Sequence, residues 1–248
     1  MKGTQFLFVL LAISLLFLLF SGMITHVYGN SVGLESLPTP FVSSSGSLNC
    51  SIVVASSVGH GPCGGAHTMD VMGAVVIGAQ LGLDAVNGVP SSSLDDHISS
   101  YDSVNARVSL PSLGSNLVVV GGPGVNQITW HYNNLRNSTG NRVLPVYFDK
   151  DHYGIDYIHV ASSGRSYRIE YDNFGRLKAD YGIITLFYDS EHGFWVVIAA
   201  GLGGSGTLTA TRLIASYKSW SLFGRAAVVK FADSNSDGYL DEASIAES

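Results

Sequence analysis

The residues best spaced for chemistry stand near the C-terminus. Asp233, Asn235, Asp237, Tyr239, Asp241 and Glu242 follow the alternating order of a calcium loop, with Gly238 where the chain has to turn sharply. Carboxylate and amide oxygens at alternate positions wrap a hard cation, and the Tyr239 carbonyl adds a backbone ligand. The twelfth position, normally a bidentate glutamate, holds Ser244, so Asp241 or Glu242 has to complete the shell. The expectation is a calcium site of reduced affinity.

Three further sets compete for attention. His60, Cys63 and His67 share one glycine-rich loop in the order H-x2-C-x3-H, a set zinc or copper accepts but one ligand short of a closed site. Cys63 has a rival claim, because Cys50 and Cys63 are the only cysteines and an oxidising compartment would join them in a disulfide. Gly201, Gly203 and Gly206 reproduce GxGxxG between an apolar strand and a helix, with Asp233 near the place of a ribose-binding acid. That fingerprint normally opens a nucleotide domain, and Asp233 already belongs to the calcium loop. The glycines are therefore read as a tight strand-to-helix turn, and no nucleotide is expected. Ser56, Ser57, His67, Asp70 and His192 offer groups for an enzyme, but neither GxSxG nor HExxH organises them, so the chain is read as non-catalytic.

The elements that hold these residues come from the hydrophobic pattern. YGIITLFY and FWVVIAA, separated by DSEHG, read as paired strands, and the second runs through GLGGSG into a helix over TLTATRLIASY. Earlier, CSIVVASS is a strand, and TMDVMGAVVIGAQLGL is a helix capped by Thr68 or Asp70 and ended by Gly82. NLVVVGGPGVNQITWHYNNL repeats strand, glycine turn and helix, and VLPVYFD follows as a strand. Continuous apolar strands alternating with helices require a sheet covered on both faces. From Tyr153 onward the strands join through short turns, so an antiparallel section is expected to extend the parallel one. The predicted fold is α/β, a mixed parallel and antiparallel sheet with helices on its faces, preceded by an N-terminal hydrophobic helix.

Composition places the chain. Its 248 residues are 46% hydrophobic and 13% charged, enough for one sizeable core. Between Lys2 and Arg107 there is no Lys or Arg, while that interval holds Glu35, Asp70, Asp84, Asp95, Asp96 and Asp102. A nucleic-acid partner is excluded by that distribution. Lys2 precedes the apolar run at residues 6–20, so residues 1–29 read as a signal peptide or, if uncleaved, an anchor in the cytoplasmic membrane. Residues 30–47, rich in Ser, Pro and Gly, read as a linker. Residues 48–232 form the α/β domain and 233–248 an acidic, calcium-loop-like tail. Asn49 and Asn137 open N-glycosylation sequons, in keeping with an extracellular or cell-surface location.

The order of VVASS, MDVMGAVVIGAQLGL, NLVVVGGPGVN, YGIITL and AGLGGSGT resembles the conserved domain of archaeal S-layer proteins over roughly residues 50–232. At its length the chain would be a short member. The resemblance implies a cell-surface structural or attachment protein of an archaeal envelope, partnered by itself or by other envelope proteins, and it supplies no catalytic residues. A secreted solute- or glycan-binding module is the alternative, and an extracellular enzyme the third.

Overall fold

The computed structural model describes residues 32–111 and 113–248, and Gly33–Ser248 form one unit. The signal peptide or anchor read at residues 1–29 lies outside the described residues. In chain order the first half contains β1 (Cys50–Val54), α1 (Thr68–Asp84), β2 (Ser91–Leu94), the one-turn α2 (Asp95–Ile98), β3 (Ser100–Asp102), β4 (Arg107–Ser109), β5 (Asn116–Val120) and α3 (Gln127–Asn134). The second half contains β6 (Val146–Lys150), β7 (Asp156–Val160), β8 (Ser166–Tyr167), β9 (Glu170–Tyr171), β10 (Leu177–Asp189), β11 (Phe194–Gly201), α4 (Gly204–Ala215), β12 (Ala226–Ala232) and β13 (Glu242–Glu247).

The main sheet runs β13-β12-β10-β11-β5-β1-β2, with β9 beside one end of β10. β2, β1, β5 and β11 are parallel, and β10, β12 and β13 join them antiparallel. The mixed α/β sheet read from the hydrophobic pattern is the one observed. β5 is buried at every position, as a continuous apolar strand requires when both faces are covered. The DSEHG segment makes the β10–β11 hairpin, in which Gly193 takes φ 80° and donates its amide to Asp189 O at 2.8 Å.

α1 and α4 lie side by side on one face. A Cβ at Gly73 would meet Thr211 Oγ1 at 2.6 Å, so that glycine sets how closely the two helices approach. The other face carries α3 and, contrary to the expected single antiparallel extension, a separate sheet of β6, β7 and β8. Val146, Phe148, Ile158 and Val160 from that sheet pack into one core with Ile183, Phe187, Val196, Ile198 and Val228. Apolar alternation in β6 and β7 marks a strand with one buried face; it does not say which sheet the strand joins.

Three boundaries are corrected. The stretch read as a linker is part of the domain: Leu34, Leu37, Phe41 and Val42 are buried, Leu34 N donates to Gly224 O, and Asn116 Nδ2 donates to Pro40 O. A few apolar side chains among serines and prolines suffice to hold an irregular segment against a sheet edge. The C-terminal stretch is likewise no free tail, since Glu242–Glu247 form β13 along β12. Gly82, read as the helix end, is inside α1, which runs to Asp84. Among the described residues no helix is long and apolar enough to cross a membrane.

Candidate functional site

The carboxyl ends of β1, β5 and β11 open on one side of the sheet, and the chain after each strand turns into α1, α3 and α4. From β1 the chain passes through α1 to β2 on one side, while the next parallel strand, β5, lies on the other side. This is a switch point, where open α/β sheets leave a crevice. A cleft of about 640 Å³ occupies that edge. Its floor is backbone from Gly122, Gly124, Gly201 and Gly203; a Cβ on Gly122 would come within 3.0 Å of Gly201 O, so the two loops close together only with glycine there.

Each helix start facing this edge is already occupied by a side chain of the protein. Asp70 Oδ2 accepts the His67 amide at 2.9 Å at the start of α1. Asn126 Oδ1 accepts from Ile128 N and Thr129 N at α3, and Asp95 Oδ2 accepts Gln127 N at 2.7 Å. Asp180, on β10, accepts from Gly206 N at 2.7 Å and Gly203 N at 3.2 Å at α4. The amides and positive dipole ends that bind phosphate in nucleotide folds are here satisfied by fixed carboxylates and an amide. Gly201, Gly203 and Gly206 therefore serve packing: a Cβ at Gly206 would lie 2.3 Å from Tyr181 O, and one at Gly203 2.7 Å from Asp180 Oδ2.

The cleft wall comes from α3 and the second sheet. Asn133 is buried and exchanges hydrogen bonds with the Phe148 backbone, at 2.8 Å and 3.0 Å, which fixes β6 against α3. Arg142 donates to Asn133 O and to Asn134 Oδ1 and stands 3.8 Å from Asp149. Lys150 pairs with Asp156 at 2.8 Å. Trp130 meets Tyr101 edge to face at 5.9 Å and lines the cleft beside Pro123. None of Trp130, Arg142, Asp149, Lys150 and Asp156 was marked as a site residue from sequence. They come from α3, β6, β7 and the loop between α3 and β6, so no single segment brings them together.

The residues expected to do chemistry are dispersed. His60 Nε2 lies 2.8 Å from Asp95 Oδ2, Cys63 Sγ donates to Pro123 O at 3.5 Å, and His67 caps α1. Among the described residues no three His, Cys, Asp or Glu side chains converge as a metal site. The expected Cys50–Cys63 disulfide is absent and both thiols are free and buried. The reason is topological: Cys50 starts β1, Cys63 follows its far end, and five extended residues separate sulfurs by more than a bridge spans. Ser56 is buried with its amide on Asp95 Oδ1, and Asp70 is buried at the cleft floor. His192 bonds Asp189 at 2.8 Å, which also accepts the Tyr132 hydroxyl at 2.6 Å. Burial works against the Asp189 charge, but these donors outweigh it and lower its pKa, while burial raises that of Tyr132. This node ties α3 to the β10–β11 hairpin at the end away from the cleft.

In the C-terminal loop, Asp233 accepts from Asp237 N at 3.1 Å and Gly238 N at 2.8 Å, and Asp237 accepts Tyr239 N. Gly238 takes φ 94°, the left-handed turn its place in the motif calls for. Asp241 accepts Ser234 N and Oγ, while Glu242 opens β13. Asn137 sits in an exposed turn with Thr139 Oγ1 donating to its Oδ1 at 2.7 Å. Asn49 instead leads straight into β1, where Ser51 Oγ shares a 2.6 Å hydrogen bond with Ser91 Oγ. Compared with known proteins, the chain matches no family model and no curated protein.

Proposed function

We propose that the chain is an exported module of a cell envelope that works by attachment, holding a ligand in the carboxyl-edge cleft without transforming it. The cleft at the switch point carries this reading: it is of ligand size, walled by an indole and ion-paired side chains, and its helix starts are filled by the protein itself. The apolar run at residues 6–20 and the exposed sequon at Asn137 support export. Fractionation of cells expressing the chain, followed by mass spectrometry of the mature N-terminus, tests it. The protein is expected in the membrane or surface fraction, and an intact chain confined to the cytosol would overturn the proposal.

A second reading, assembly with copies of itself as the S-layer resemblance implies, is favoured by α1. Val71, Met72, Val75 and Leu83 are 49%, 49%, 67% and 80% exposed, and no charged residue occurs between them. An uncharged helix face of this kind marks a contact surface. Sedimentation of the wild type against Val75→Lys reads it: concentration-dependent assembly lost in the variant supports it, and a monomer at all concentrations rejects it. In both readings calcium orders the loop at Asp233–Asp241.

A further inference from the structure

The proposed attachment site has a chemistry that selects its ligand. Its two cations, Arg142 and Lys150, face three carboxylates, Asp70, Asp149 and Asp156, so the lining offers an anionic ligand no net positive charge. The helix starts are closed to phosphate by Asp70, Asn126, Asp95 and Asp180. A strongly apolar ligand fits no better, because the floor is glycine backbone and the walls carry carboxylates. What remains suits a molecule with an apolar face and a rim of neutral hydroxyls.

Two side chains give that molecule its grip. Trp130 offers an aromatic platform, held by Tyr101 and by the α3 backbone. Asp70 is 2% exposed and lines the cleft; its Oδ2 accepts the His67 amide, while Oδ1 has no hydrogen-bond donor among the described residues and is an open acceptor at the cleft floor. A carboxylate oxygen facing a cleft accepts a short, charge-assisted hydrogen bond from a hydroxyl. Asp149, on the rim, supplies a second acceptor.

We infer that the cleft binds a neutral saccharide of one or two rings, stacked on Trp130 and hydrogen-bonded by its hydroxyls to Asp70. This inference rests on the attachment reading and names its ligand class.

Tryptophan fluorescence and titration calorimetry on the full chain test it with glucose, galactose, mannose and N-acetylglucosamine, beside inorganic phosphate and tetramethylammonium as charged probes. One sugar is expected to saturate with a Kd at or below about 1 mM, weakened about tenfold or more by Trp130→Ala and by Asp70→Asn. Asp70→Asn keeps an acceptor for the His67 amide, and Trp130 is only partly buried, so both variants are expected to fold, and circular dichroism separates binding loss from misfolding. Saturation by phosphate or tetramethylammonium that needs Trp130 would overturn the sugar but keep the cleft. A sugar indifferent to Trp130→Ala and Asp70→Asn would overturn the cleft as its site. No saturation by any probe would overturn both.

Discussion

Asp95 holds the loop that follows β1. It is fully buried, and its carboxylate accepts from Ser56 N, Asp96 N, Gln127 N and His60 Nε2. His60 Nδ1 also lies 2.8 Å from Val58 O, so both ring nitrogens face acceptors, an arrangement that favours the protonated ring. Burial alone would lower the His60 pKa, but the Val58 carbonyl and Asp95, with Asp96 nearby, outweigh it and the pKa rises. A histidine raised on folding stabilises the native state fully below its unfolded value of about 6.5, and that contribution fades as pH climbs through the folded value. Melting temperature is therefore expected to fall as pH rises from about 6 to 8, and His60→Gln to flatten the profile at a cost of about 2 kcal/mol, one charge-assisted hydrogen bond from an Asp95 that keeps its three backbone donors. A wild-type melt that does not change over that interval would refute the pair as a cation and carboxylate. The cysteines give a second check. Burial pushes Cys50 up to about 11, and burial with the nearby Asp95 pushes Cys63 up to about 12. At pH 8 both thiols are expected to resist a thiol reagent in the native protein and both to react once unfolded. An unfolded, unreduced chain with no reactive thiol would restore the disulfide.

At the scale of elements, the strand, glycine turn and helix from β11 to α4 was legible because an apolar run, small residues and helical spacing follow one another locally. The group that completes it was not, since Asp180 reaches the α4 start from an antiparallel neighbour, 23 positions before Gly203. The same distinction explains the other misreadings: β6 was visible as a strand but its sheet was not, and residues 33–47 gave no period although Leu34 and Phe41 are buried. The cleft was the least legible of all, because no segment holds more than a few of its residues. Asp180 also offers a clean measurement. Its carboxylate accepts from Gly206, Tyr181 and Gly203 amides, yet burial dominates and raises its pKa, so ionising it costs the native state. Asp180→Ala removes the acceptor and is expected to cost about 2 kcal/mol in urea unfolding. Asp180→Asn keeps one acceptor and no charge and should cost less than half as much. Because an acid raised on folding loses native stability as pH rises from its unfolded value, about 3.9, through its higher folded one, the Asn variant should also remove that slope. Equal losses in the two variants would mean that shape, and not hydrogen bonding, is what position 180 supplies.

For the whole molecule, the decisive joint is where the C-terminal strand closes the sheet. β13 lies on the outer edge of β12, and the Tyr167 hydroxyl from β8 donates to Glu247 at 2.7 Å, so seating β13 also links the main sheet to the second one. The loop that delivers it draws Asp233, Asn235 and Asp237 together: Asn235 Nδ2 donates to Asp237 Oδ2, and Asp237 N donates to both Asp233 and Asn235. Carboxylates gathered on a turn repel one another, and a divalent cation would turn that repulsion into attraction. Calcium at about a hundred times its Kd would then stabilise the fold by about 2.7 kcal/mol, which for a domain of this size raises the melting temperature by several degrees. Asp237→Ala is expected to abolish the rise while leaving the calcium-free melt nearly unchanged, because Asp237 is exposed and holds only the amides of its own turn. Hydrogen exchange should locate the effect in β13 and β12, the strands the loop joins. Should calorimetry return one melting temperature with calcium and with a chelator, the loop is an acidic turn held by its own amides, and β13 is seated by backbone pairing alone.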